Sequence, residues 1–173
     1  IMRVVKNRFG TTDEIAVFQM LARGLREVTN PSQLFLEERT KEVSGSVIIS
    51  TIEGTRPILV EIQALLTDTV FATPSRRCTG LDENRVSLLI AVLEKYMGYP
   101  LYRSDAFLSV AGGLKILEPA VDLGVMIAIA SSFSNKPVDP NTIVIGEVGL
   151  GGEVRAVPRI VPRLKEAFTM GFK

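Results

Sequence analysis

The chain has 173 residues, a formal net charge of +1, no histidine and a single cysteine, Cys78. That length fits one domain with a sizeable core, while the missing histidine removes Ser-His-Asp, Cys-His and most zinc chemistry, and one cysteine allows neither an internal disulfide framework nor a cysteine zinc site. Near-neutral charge gives no bulk signal for nucleic acid, no apolar run reaches the length of a bilayer span, and Ile1-Met2-Arg3-Val4-Val5 is too short and poorly flanked for a signal peptide.

A chain beginning with Ile1 is expected to be a fragment of a longer parent. Arg3 to Phe9 is basic and part apolar, and Gly10-Thr11-Thr12-Asp13 reads as a turn. Glu14 to Met20 predicts a strand, and Asn30-Pro31-Ser32 opens a short helical piece ending near Phe35-Leu36. The β-branched run Gly45 to Ile52, the turn residues Glu53 to Pro57 and the run Ile58 to Leu66 predict a hairpin. Asp82 to Tyr96 predicts a helix. Asp82 is its N-cap and Val86, Leu88, Leu89, Val92, Leu93 and Tyr96 its buried stripe; Gly98 ends it. Asp105 to Val110 predicts another strand. Pro119 to Phe133 predicts a helix whose small residues, Ala120, Gly124, Ala128 and Ala130, permit close packing. Thr142 to Val148 predicts a strand and Val154 to Val157 a short extended piece. Arg159 to Met170 predicts a last helix, with Pro162 in its first turn and Gly171 beyond its end. Strands come mostly first, then helices mixed with strands, which is α+β rather than regular βαβ winding.

With histidine absent, catalysis would have to run on Lys, Ser, Thr, Asp, Glu, Arg or Tyr. Glu118 and Asp122 flank a helix start, where carboxylates are favoured by the dipole. They read as capping and charge complementarity, or as an acid/base pair. Arg76, Arg77, Arg155, Arg159 and Arg163 are scattered cations. They make either a salt-bridged surface, with Glu166 in reach of Arg163, or a DNA-facing patch; Arg159 and Arg163 share a face of a helix. Gly149-Leu150-Gly151-Gly152 lacks the Lys-Ser/Thr of a phosphate loop and predicts a hairpin turn. Few aromatics and no tryptophan argue against base stacking. Any DNA contact is expected along the backbone.

Two motifs carry a resemblance. The first is Lys6-Asn7-Arg8-Phe9-Gly10. Read alone, it is either a solvated basic strand end or a phosphate-contacting pair of cations around an amide. The second is Glu118-Pro119-Ala120-Val121-Asp122, followed by Gly146-Glu147-Val148 and Arg159 to Ala167. Together they resemble the C-terminal, Lon-protease-like domain of the RadA/Sms family, over essentially the whole chain. In the Lon peptidase pattern a Gly-Pro-Ser-Ala-Gly string carries the nucleophile and a downstream lysine is the base. The nucleophile position falls on Ala120 and the base position on Arg163.

The resemblance implies an α+β, Lon-like (ribosomal protein S5 domain 2-like) fold over residues 14–173. Residues 1–13 are then a linker from an ATPase core. Ala120 has no oxygen to acylate and an arginine stays protonated, so the implied peptidase site is dead. The implied parent is a cytoplasmic, hexameric, DNA-dependent ATPase that processes recombination intermediates by branch migration in DNA repair. ATP, magnesium and zinc would belong to its other domains, with no cofactor or metal here and no membrane partner. The implied role of this segment is self-association and contact with single-stranded or branched DNA. Lys6, Asn7, Arg8, Phe9 and Gly10 would couple nucleotide state to DNA, with Arg76, Arg77, Arg155 and Arg159 as backbone contacts. The alternatives are a Lon-type serine peptidase with a relocated dyad, and a Lon-like scaffold of another AAA+ protein.

Overall fold

The computed structural model describes residues 2–3, 15–37 and 39–173. The Lys6 to Gly10 string lies outside the described residues, as does most of the expected linker. In chain order the elements are Met2–Arg3 (β1), Ile15–Ala16 (β2), Phe18–Leu21 (β3), Gly24–Glu27 (β4), Pro31–Leu36 (α1), Ser46–Glu53 (β5) and Arg56–Asp68 (β6). Then come Arg76–Thr79 (β7), Glu83–Val92 (α2), Ser104–Val110 (β8), Asp122–Ser134 (α3), Ile143–Val144 (β9), Glu147–Val148 (β10), Val154–Arg155 (β11) and Ile160–Thr169 (α4).

Local chemistry sets the helix ends. The Asn30 side chain accepts from Gln33 N at 3.1 Å and Pro31 takes the first position of α1. Asp82 accepts from Arg85 N at 2.8 Å and starts α2. That helix loosens into a π-helical turn at Leu93–Met97 and stops at Gly98, whose left-handed φ of 70° costs a glycine little. Leu88 and Tyr96 are exposed, against expectation, because only the side of α2 carrying Val86, Leu89 and Ile90 meets the sheet.

The main sheet has the order β7-β8-β6-β5-β9. The β5–β6 and β6–β8 pairs are antiparallel; β7–β8 and β5–β9 are parallel. Side chains alternate across it. Val47, Ile49, Ile58, Val60, Ile62 and Ala64 form one face and pack with α2 and α3. Ile48 and Leu59 point the other way, against Leu36 and Ala167 of α1 and α4. The fold is therefore mixed α and β, with helices on both sides of a mixed sheet. Gly124 lets α3 approach β5: a Cβ there would lie 2.1 Å from Ile49 Cγ2.

Three strand expectations change. The strand predicted from Glu14 is two pieces, β2 and β3, separated at Val17. Thr142 to Val148 is not one strand: β9 joins the main sheet, whereas β10 pairs with β11. The break is at Gly146, whose N–H donates to Ala120 O at 2.9 Å and whose carbonyl accepts from Leu123 N at 3.0 Å. Strand β7 was not expected, since Arg76-Arg77-Cys78-Thr79 has little apolar alternation; it lies along β8 at the sheet edge. Gly149 N donates to Glu153 O at 2.9 Å and closes the expected hairpin turn between β10 and β11.

Candidate functional site

The candidate site is the segment Glu118-Pro119-Ala120-Val121-Asp122, a 3-10 turn leading into α3. Ala120 is buried, and its carbonyl is held by Gly146 N. On either side of Ala120, two residues away, a carboxylate holds an arginine.

Arg163 reaches Glu118 from α4. Its side chain is 1% exposed, and both terminal nitrogens meet the carboxylate: Nη1 donates to Oε1 at 3.0 Å and Nη2 to Oε2. Nη1 also donates to Ser50 O at 2.6 Å and Nε to Pro158 O at 3.2 Å. Glu118 Oε1 further accepts from Ile52 N at 2.8 Å. Burial pushes the Glu118 carboxyl up, but hydrogen bonds from Arg163, Thr51 and Ile52 outweigh it and hold the group below its ordinary range.

Asp122 is 2% exposed and accepts from Arg85 Nε at 3.0 Å, from Arg85 Nη2 and from Val148 N at 3.2 Å. Arg85 Nη2 also donates to Val148 O at 3.0 Å. The hydrogen bond to Asp122 raises the Arg85 pKa, with burial opposing it. Sequence reading missed Arg85. Nothing local singles it out, because its partner lies 37 positions away. Glu118 and Asp122 are thus ion-pair partners that tie α4 and α2 to the start of α3; Glu118 takes the N-cap position of the 3-10 turn and Asp122 the first turn of α3, but neither turn has a side-chain cap hydrogen bond. Glu166, the expected partner of Arg163, instead accepts from Ser32 Oγ at 2.5 Å.

This arrangement has no nucleophile and base in contact. Ser50 and Thr51 are buried beside the Glu118–Arg163 pair, yet the cation there is a guanidinium, which does not take up a proton. Lys165 is exposed on another side of α4. Ser131 Oγ accepts from Gly45 N at 2.9 Å and donates to Lys136 O at 2.5 Å; Ser132 Oγ accepts from Leu66 N at 3.0 Å. These hydroxyls pin α3 to the sheet. Among the described residues no group of three or more Cys, Asp or Glu is arranged to hold a metal ion.

No protein-family model matches the chain. Whole-protein comparison is decisive: the chain is 58% identical over 173 residues to DNA repair protein RadA of Bacillus subtilis and 54% identical over 173 residues to that of Halalkalibacterium halodurans. It is 56% identical over 172 residues to that of Streptococcus pneumoniae. The chain is a RadA homologue over its whole length. It spans 38%, 38% and 41% of those three relatives.

Within this RadA-like chain the four arginines proposed for DNA take different places. Arg76 is spent on backbone, with Nη1 on Ser104 O and Nη2 on Leu101 O at 3.0 Å. Arg155 pairs with Glu153 and, at 3.9 Å, with Glu147. Arg159 is exposed but donates to Gly54 O at 2.9 Å and Thr55 O at 2.8 Å. It is the N-cap of α4 with a φ of 55°, while Arg163 turns inward, so the two do not make a shared basic surface. Arg77 is exposed on β7 and, among the described residues, has neither an ion pair nor a side-chain hydrogen bond.

Proposed function

We propose that this chain is a Lon-like α+β domain without peptidase chemistry. In the parent it serves as the self-association and DNA-contacting part of a cytoplasmic DNA-dependent ATPase. The parent assembles as a hexameric ring and drives branch migration of recombination intermediates in DNA repair, using ATP, magnesium and zinc held by its other domains. What supports the repair reading is the identity over the whole chain to proteins named DNA repair protein RadA. What supports the loss of peptidase chemistry is the pair at the former dyad: Ala120 carries no side-chain oxygen, and Arg163 is locked on Glu118 and two carbonyls. DNA contact is assigned to Lys6 and Arg8, with Arg77 as a further candidate, since the other three arginines are engaged within the fold.

Two measurements test this reading. A serine-reactive phosphonate is expected to leave the chain unlabelled; labelling abolished by a point substitution within the domain overturns it. Light scattering on the intact parent is expected to give a closed ring, a cyclic head-to-tail assembly. A parent that stays monomeric at all concentrations refutes self-association.

A further inference from the structure

Helices α1 and α4 cover the sheet face opposite α2 and α3 around Ile48 and Leu59. Toward β8 and β7 the same side carries a cavity of about 720 Å³. Strand register fixes what stands there. Ser46 is opposite Gln63, Gln63 opposite Ser109, and Ser109 opposite Thr79. Two residues along, Leu65 is opposite Phe107, and Phe107 opposite Arg77. Residues two apart on a strand share a face, so both rows stand beside Glu61.

Glu61 is 3% exposed. Its carboxylate accepts from Ser46 Oγ and, at 3.0 Å, from Gln63 Nε2. Both donors are neutral, and among the described residues no Lys or Arg makes an ion pair with it. Glu118 and Asp122, by contrast, each hold an arginine. A carboxylate buried without a counter-charge is costly. The other charged groups lining the cavity are Arg77 and Glu83. Glu83 Oε1 accepts from Cys78 N at 3.3 Å, and among the described residues Arg77 pairs with neither carboxylate. Two carboxylates and one guanidinium leave the described lining one negative charge in excess, and Glu61 is its buried carboxylate. Leu65 and Phe107, 58% and 40% exposed, add apolar surface on the same face.

We infer that this cavity is a docking groove for a polypeptide segment carrying a lysine or arginine flanked by apolar side chains. The cation pairs with Glu61 and the apolar groups cover Leu65 and Phe107. Glu61 and Leu65 are four residues apart on one strand, about 13 Å, so a segment of about four extended residues spans them. Phosphates brought into this groove would face the Glu61 carboxylate, so the occupant is protein rather than nucleic acid. The inference is independent of the DNA-repair reading.

The test is an amide chemical-shift titration of the 173-residue chain with acetyl-Leu-Arg-Ser-Ser-Ser-Leu-amide and, separately, acetyl-Leu-Gln-Ser-Ser-Ser-Leu-amide. The arginine peptide is expected to shift Ser46, Gln63, Leu65 and Phe107 and to bind about tenfold more tightly, the value of one charge-assisted hydrogen bond. Glu61→Gln keeps a side chain that bonds Ser46 and Gln63 but abolishes the preference. Leu65→Asn, at an exposed position, weakens both peptides alike and controls for folding. Equal binding of the two peptides, a preference that survives Glu61→Gln, or shifts confined to other faces overturns the proposal. Shifts of the same residues on raising protein concentration without peptide make a second copy the occupant and also overturn it. Shifts of the groove by a single-stranded oligonucleotide do the same.

Discussion

The Arg163 guanidinium and the Glu118 carboxylate meet fork to fork across 45 positions of sequence, with the arginine almost wholly buried. Planar, bidentate pairing is a property of guanidinium that an ammonium does not reproduce. Arg163 thus fastens α4 to the turn before α3, and under the proposed Lon-like reading it does so from the position of the catalytic lysine. A peptidase base would have to be neutral and free.

Removing that arginine leaves Glu118 without its counter-charge and Ser50 O without the guanidinium donor. Breaking a buried pair from one side costs about 3–5 kcal/mol. Glu118 is a quarter exposed, so Arg163→Ala is expected near the lower end, about 3 kcal/mol. Urea unfolding of this chain measures it. A loss of less than about 1 kcal/mol, the range of surface pairs, would show the clamp to be incidental.

Arg163 illustrates what was legible in the sequence and what was not. The hairpin of β5 and β6 follows from β-branched runs around Gly54-Thr55, and the start of α2 from Asp82; both are local signals. Helix spacing places Glu166 next to Arg163, yet the sheet draws the guanidinium inward to Glu118, a choice made by tertiary packing. The same holds at Gly146, where hydrogen bonds to the start of α3 override a run that reads as one strand. Arg85 on Asp122 had no local signal at all.

The depressed Glu118 carboxyl gives a pH signature. A carboxylate whose folded pKa lies below its unfolded value stabilises the fold fully above the unfolded pKa, about 4.3, and that contribution is lost as pH falls through the lower folded value. Glu118→Gln removes it. The stability gap between the parent chain and Glu118→Gln is expected to be constant above about pH 5.5 and to shrink on acidification below the unfolded pKa. A gap unchanged between neutral pH and the acid limit of folding contradicts the assignment.

Gly124→Ala separates helix propensity from packing. In an exposed helix the change gains about 1 kcal/mol. Here the new methyl would lie 2.1 Å from Ile49 Cγ2, between α3 and β5. Overpacking of this kind costs about 1–3 kcal/mol, so net destabilisation is expected in thermal unfolding. Valine keeps a carbon where Ile49 Cγ2 stands, so adding Ile49→Val, which deletes only the δ-methyl, is expected to recover little of the loss. Gly124→Ala that raises the melting temperature contradicts the close approach.

Cys78 is expected to be a slow thiol. Burial first, then Glu83 and Asp82, push its pKa up to about 11 from 9.0. Two pKa units mean about 100-fold less thiolate at neutral pH, and alkylation by iodoacetamide is expected to slow accordingly. Because burial is the leading cause, Glu83→Gln is expected to restore only a small part of the rate. Alkylation as fast as a free peptide thiol contradicts the buried setting.

The DNA reading meets its sharpest test in the intact parent, at Lys6 and Arg8. If these cations meet the phosphate backbone, each contact releases counterions and contributes to the salt dependence of binding. Lys6→Ala and Arg8→Ala are then expected to weaken DNA binding or DNA-stimulated ATP hydrolysis. Each is also expected to flatten the slope of log affinity against log salt by about 0.7–0.9. The melting temperature is expected to stay nearly unchanged. Arg76→Ala is the contrast: its guanidinium holds Ser104 O and Leu101 O, so its loss is expected to lower stability without changing the salt slope. Lys6→Ala and Arg8→Ala proteins that keep full activity, or lose it only through unfolding, would make the Lys-Asn-Arg-Phe-Gly string a structural element and remove it from this chain's proposed DNA contact.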